Sequence, residues 1–298
     1  SLAQPASLEC MRRHGDQWGI AESVGVTALG VAAGRAIESR RSDGLVDDPY
    51  AEAFVVAATP RVRLPSGPNF EAAWTMQSTY IGVRSRFFDL FCAAAAAAGI
   101  TQVVILAAGL DTRALRLDWP AGSVVYEVDQ AGVFEFKNGV LAGCRAGRSA
   151  HRVVVPADLR EDWPTALLAA GFDPARPSAW LAEGLLPYLP AQAEADLFDR
   201  VHQLSVPGSR MAVEHLGPSR AGTAERPQPL SEVLGVDIAD LMYLDEREDP
   251  GDRLRRYGWD VARVQASEFA QANGRFLNDD GGGLPTRTVL IEATLRSS

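Results

Sequence analysis

Two residues set at a telling distance open the reading of this chain. Gly109 closes the apolar run Val103-Val104-Ile105-Leu106-Ala107-Ala108, and Asp129, 20 residues further on, closes the next run, Val124-Val125-Tyr126-Glu127-Val128. A glycine at the first strand end lets a ligand approach bare backbone, and an ionised carboxylate at the second can accept both hydroxyls of a ribose. This is the spacing of a nucleotide-binding α/β domain. The turn holds one glycine rather than the three of a dinucleotide fingerprint. It therefore suits a ligand with a ribose but no pyrophosphate, and S-adenosylmethionine fits. Glu127 is the weaker candidate for the ribose role.

Other side chains have the right types in the right places. Asp158 lies just beyond Arg152-Val153-Val154-Val155, again at a strand end, where its carboxylate can take an adenine amino group or cap the next turn. Glu183 follows the strand Ser178–Ala182 in the same manner. Arg84 and Arg86 stand two apart in the otherwise apolar helical stretch Tyr80–Phe91. A guanidinium there can pair bidentately with a carboxylate or form a surface ion pair. Asp111 and Arg113 are expected to shape the glycine turn. Of the four histidines, His215 ends a strand beside Glu214 and is the candidate general base, set against a purely structural role. Tyr188 either lines an acceptor pocket or packs. There is no HExxH, no paired cysteine spacing, no Walker lysine and no G-x-S-x-G elbow, so metal, nucleoside-triphosphate and serine-hydrolase chemistry find no support.

The elements that must carry these residues follow from periodicity. Strands are expected at Val103–Ala108, Val124–Asp129, Arg152–Ala157, Ser178–Ala182, Arg210–His215, Val261–Ala266 and Arg287–Thr294, the last two joined closely through a loop that holds Gly281-Gly282-Gly283. Helices are expected at Gln130–Leu141, Trp163–Ala170 and Ala191–Leu204. The alternation predicts a mostly parallel sheet covered on both faces. The first 90 or so residues read as helical, clearest at Ala21–Arg40 and Pro49–Thr59, and Gly217–Tyr257 interrupts the alternation. Both segments are expected to act as lids within a single domain spanning 1–298.

Composition narrows the class. The 298 residues are 47% hydrophobic and 22% charged, ordinary for a folded domain, and the net charge of -9 argues against a nucleic-acid partner. Cys10, Cys92 and Cys144 read as free thiols of a reducing compartment, and with no apolar leader at the start a cytoplasmic enzyme is expected. The uncharged stretch Leu90–Leu110 is long enough to suggest a membrane span; the alanine run Ala93–Ala98, capped by Gly99 and followed by a strand, is the better reading.

Seven segments in order carry a resemblance. They are Ser23-Val24-Gly25-Val26-Thr27-Ala28, Asp47-Asp48-Pro49-Tyr50-Ala51-Glu52, Arg84-Ser85-Arg86-Phe87-Phe88-Asp89, Ala107-Ala108-Gly109-Leu110-Asp111-Thr112-Arg113, Tyr126-Glu127-Val128-Asp129, Ala157-Asp158-Leu159-Arg160 and Ala182-Glu183-Gly184-Leu185-Leu186-Pro187-Tyr188-Leu189. Together the chain resembles S-adenosylmethionine-dependent methyltransferases related to leucine carboxyl methyltransferase, in particular their actinobacterial, chiefly mycobacterial, O-methyltransferase branch. The resemblance implies a class I, Rossmann-like α/β fold of seven strands with helices on both faces and S-adenosylmethionine as the methyl donor. It places a clamp for the donor's methionine carboxylate at Arg84 and sets Glu183 toward its ammonium group. It gives Asp158 and the Leu159 N–H to the adenine, beside Gly109 and Asp129. Gly217–Tyr257 matches least, which leaves the acceptor open. A small molecule is expected. The want of an evident obligatory base leans toward a carboxylate, or toward catalysis by proximity. A nicotinamide-dependent oxidoreductase and a catalytically silent binding module are the alternatives, and the oligomeric state is not legible.

Overall fold

In the computed structural model, residues 23–58, 68–144, 150–217, 241–243, 245–277 and 287–297 are described. Cys10, His14, Gly281-Gly282-Gly283 and most of the Gly217–Tyr257 insertion lie outside them.

The seven strands are β1 (Gln102–Leu106), β2 (Val124–Asp129), β3 (His151–Pro156), β4 (Ala179–Ala182), β5 (Arg210–Leu216), β6 (Trp259–Gln265) and β7 (Thr288–Leu295). They form one sheet in the order β3-β2-β1-β4-β5-β7-β6. The first five run parallel, and β7 lies antiparallel between β5 and β6. This is the fold class that the alternation predicts. Val104 and Leu106 of β1 pack with Trp180, Trp163 and Phe198 on one face, whereas Val103 and Ile105 pack with Leu181, Phe88 and Phe91 on the other. Period-two alternation with apolar residues at every position is what a strand buried on both sides requires. Burying each side chain of leucine or phenylalanine size contributes about 1.5–3 kcal/mol.

The described helices are α1 (Ser23–Ser39), α2 (Ala51–Ala58), α3 (Pro68–Ala97), α4 (Arg113–Arg116), α5 (Ala131–Leu141), α6 (Trp163–Ala169), α7 (Ala191–Gln203), α8 (Pro250–Arg256) and α9 (Ala266–Ala272), with a 3₁₀ turn at Leu186–Tyr188. The expected helices and strands appear within a residue or two of their boundaries. The alanine run ends α3, a turn follows at Gly99, and β1 begins at Gln102, so Leu90–Leu110 is helix then strand. No described helix is long and apolar enough to cross a membrane. One connection differs from expectation: α9, not a plain loop, leaves β6, because Ala266 and Ala270 carry an apolar stripe into the core. Part of the insertion is also structured. Asp249 caps α8 by accepting the Asp252 N–H at 3.0 Å, Pro250 opens it, and the helix packs against β6. Cys92 and Cys144 are free, and burial raises the Cys92 thiol well above its ordinary range.

Candidate functional site

Because β1 to β5 are parallel, the turns after them gather on one edge, and the strand order reverses between β1 and β4. That reversal point is where open α/β sheets form a ligand crevice. The turn at Gly109 leaves β1 on one side of it, and Glu183 follows β4 on the other.

On the β1–β3 side, the Gly109 N–H donates to Asp129 Oδ2 at 2.6 Å, and the Gln130 N–H donates to Oδ1 at 2.7 Å. Burial raises the Asp129 carboxyl above its ordinary range, against the pull of those two donors. Gly109 has φ +47, and a Cβ built on it would meet nothing nearer than the Ala28 Cβ at 3.6 Å. The turn is thus open to a visitor, although a side chain there would strain the backbone. Ala107 has φ 53, the only non-glycine residue at positive φ among the described residues. Strain of this kind gathers at ligand-facing turns. Asp158 is held by Arg160, whose N–H and Nε both lie 2.9 Å from Oδ1, and the Gln130 amide reaches to 3.5 Å from its other oxygen. Leu159 buries its side chain in the core behind. Glu127 belongs to the framework: with no exposed side-chain surface, it takes Lys137 and Arg152, each at 2.7 Å.

The turn is braced from behind. Asp48 accepts from Arg35 Nε and from the Thr112 hydroxyl, each at 2.8 Å, and Arg35 Nη2 donates to the Leu110 carbonyl at 2.6 Å. Burial would raise the Asp48 carboxyl, yet Arg35 and Arg116 hold it below the ordinary range.

On the β4–β5 side, charged side chains hold one another. Arg84 Nε donates to Glu183 Oε1 at 2.8 Å, and its Nη1 lies 3.3 Å from Glu214 Oε2. Burial opposes the Arg84 charge, but Glu214 and Glu183 keep it protonated. Arg113 Nη1 donates to Glu183 Oε2 and its Nε to Asp89 Oδ1, both at 2.7 Å, and it also pairs with Asp111. Arg116 doubles the hold on Asp89. Burial alone would raise the Asp89 carboxyl, and Arg113 with Arg116 reverses the shift. Glu183, expected to face a ligand ammonium, therefore sits between two guanidiniums.

A cleft opens beside Arg84. Its walls include Thr27 and Val31 of α1, Gln77 and Tyr80 of α3, Gly184, Tyr188, Glu214 and Met242. Tyr188 thus lines the cleft, where burial raises its phenol and Thr27 is its hydrogen-bond partner. His215 does not line it. Glu214 and Leu216 do, so the residue between them faces the other side of the sheet, with Nε2 3.8 Å from Asp249 Oδ2. Burial pushes the His215 imidazole below its ordinary value. Alternation along β5 takes it out of reach as a base for this cleft.

Sequence reasoning missed Ala107, Tyr80 and Glu214. Glu214 accepts the Gly184 N–H at 2.6 Å and the Tyr80 hydroxyl. A Cβ on Gly184 would stand 3.4 Å from Arg84 Nη1, and its φ of +61 also favours glycine. The strand-tip rule that selects Asp129 and Glu183 also points to Glu214; nothing in the sequence links it to Tyr80.

The chain resembles proteins already described. The leucine carboxyl methyltransferase family pattern matches residues 28–202. A protein of Saccharopolyspora erythraea, provisionally named an S-adenosyl-L-methionine-dependent methyltransferase, is 50% identical over 282 residues, covering 93% of this chain and 98% of the relative. A similarly named protein of Mycobacterium tuberculosis is 45% identical over 306 residues, covering 97% of each. Among solved structures, a provisionally assigned methyltransferase of Thermobifida fusca superposes with a TM-score of 0.54 at 17% identity, over 91% of this chain and 94% of that one. That likeness shows a shared fold.

Proposed function

The chain belongs to the leucine carboxyl methyltransferase family of S-adenosylmethionine-dependent methyltransferases, and from that premise we propose that it methylates an oxygen atom of a small molecule held in the cleft beside Arg84. The observation that carries the reading is the pairing of the Gly109 turn with Asp129 at the reversal of strand order.

The residues present suit S-adenosylmethionine. Asp129 spends one lone pair of each oxygen on a backbone N–H and keeps others for the two ribose hydroxyls. Asp158 and the Leu159 N–H offer an acceptor and a donor to an adenine edge. Gly109 leaves room for the ligand's approach to backbone. Arg84 offers a guanidinium to the methionine carboxylate, and Glu183 supplies negative charge beside the ammonium. When bound, S-adenosylmethionine supplies a methyl group carried on a sulfonium. What the chain adds is position, because an in-line displacement gains most from holding the acceptor in line. Tyr188 and Tyr80 stand in the acceptor wall.

Residues 1–90 and 217–257 would work as covers within the one domain. In support, Thr27, Gln77, Tyr80 and Arg84 reach the cleft from the first segment and Met242 from the second.

The test is direct. Calorimetric titration with S-adenosylmethionine and S-adenosylhomocysteine should show binding, and labelled methyl should pass to an oxygen nucleophile in an acceptor panel. A protein that binds neither ligand would end the proposal.

A further inference from the structure

Glu214 turns its carboxylate into the cleft from β5, with 8% of the residue exposed. It accepts from Gly184 N–H at 2.6 Å and from Tyr80, and it lies 3.3 Å from Arg84 Nη1. Arg84 is already paired with Glu183, which in turn holds Arg113. In this network three guanidiniums (Arg84, Arg113, Arg116) face four carboxylates (Asp89, Asp111, Glu183, Glu214), leaving one negative charge in excess. Among the described lining residues, only Arg84 and Glu214 are charged; Val31, Pro187, Leu216 and Met242 are apolar.

We propose that the acceptor is electrically neutral, an alcohol or phenol on an apolar body whose hydroxyl donates a hydrogen bond to Glu214, and not a carboxylic acid. The inference rests on the methyltransferase reading and specifies its acceptor. It also revises the lean toward a carboxylate. An anionic acceptor would set a second carboxylate against Glu214 in a poorly solvated wall, where the one guanidinium already faces Glu183 and Glu214 and, on the methyltransferase reading, the donor's methionine carboxylate as well. A hydroxyl meets no such repulsion. Glu214 Oε1 takes Tyr80 and, at 3.5 Å, Arg84 Nη1, whereas Oε2 takes Gly184 and keeps a lone pair for it. In the transfer the acceptor oxygen bonds to the methyl carbon as that carbon's bond to sulfur breaks. The sulfur keeps the electron pair, and the hydroxyl proton passes to Glu214 and on to solvent.

Matched pairs decide the matter: p-butylphenol against p-butylbenzoate, and octanol against octanoate. Each is titrated into the full chain saturated with S-adenosylhomocysteine, then offered with S-adenosylmethionine. The hydroxyl member should bind at least about tenfold more tightly, as like-charge repulsion predicts, and it alone should be methylated. Glu214→Gln should lower kcat for the hydroxyl member about 10²-fold, the scale of losing a general base, and should narrow the binding gap. Tyr80→Phe keeps the charge of Glu214 and should keep the preference, which guards against a Glu214→Gln protein that does not fold. Carboxylates bound or methylated as well as their partners, no hydroxyl compound bound, or an unchanged gap in Glu214→Gln overturns the proposal. Loss of S-adenosylhomocysteine binding in the parent protein would instead defeat the methyltransferase reading beneath it.

Discussion

Two halves of one sheet edge hold acids at strand tips by different means. On the β2–β3 side the partners are near in sequence: Asp129 takes the N–H of its own neighbour Gln130 and that of the Gly109 turn, and Asp158 takes Arg160 two residues on. On the β4–β5 side they are far away. Glu183 is held by Arg113 from 70 residues off and Glu214 by Tyr80 from 134. An acid held by backbone amides, as Asp129 is, keeps lone pairs for a ligand and can be changed by itself; Asp158 adds only the guanidinium of its near neighbour Arg160. Acids and guanidiniums that neutralise one another stand or fall together. On the proposed function the first half is a receptor and the second a cross-braced wall that also meets the ligand.

The sharpest way to break the comparison is Arg113→Ala. It strips Asp111 of its ion-pair partner and takes one of two guanidiniums from Asp89 and from Glu183 in a buried site, and should cost about 3–5 kcal/mol of stability in denaturant titration. A loss under about 1 kcal/mol would mean the wall is not mutually dependent. Asp129→Ala should leave folding far less affected and weaken S-adenosylmethionine binding by about 2–3 kcal/mol, measured by calorimetry. Unchanged affinity would remove Asp129 from the site. Arg84→Ala should reduce affinity for S-adenosylmethionine more than for adenosine, which lacks the carboxylate; equal losses would take Arg84 out of direct contact.

The halves should also respond to pH with opposite signs. Asp89 is held below its ordinary value, so its share of stability is present above the unfolded carboxylate range and is lost as pH falls through the folded value. Asp129 is raised, so its share is present in acid and lost as pH climbs through its folded value. Asp89→Asn should flatten the acid limb of the stability curve and Asp129→Asn the opposite slope; matching slopes would merge the two halves. The smallest effect belongs to His215→Gln. Methyl-transfer rate should stay within about twofold, since His215 is off the cleft wall. Its depressed value means stability is lost as pH falls below about 6.5, and the variant should lessen that loss.

The same contrast explains what the sequence discloses. Sheet, helices and the Gly109–Asp129 pair are legible because they rest on periodicity and on fixed short spacings. Tyr80–Glu214 and Arg84–Glu183 depend on where α3 lands on the sheet, which no local pattern states. His215 misleads for a related reason: a strand-end histidine beside an acid has the right type, but a one-residue offset puts it on the wrong face. The α9 connection after β6 was hidden by its shortness, seven residues with little polar contrast to mark a helix.

Arg35 and Asp48 sit before the first strand, yet they clasp Leu110 and Thr112 just after it. The bend at Gly109 is therefore shaped as much by the leading helices as by the strands that follow. A chain shortened past α2 would keep every strand of the sheet while letting that bend slacken. Such a truncation should first lose grip on the adenosyl half of its ligand, well before any loss of the β-structure itself.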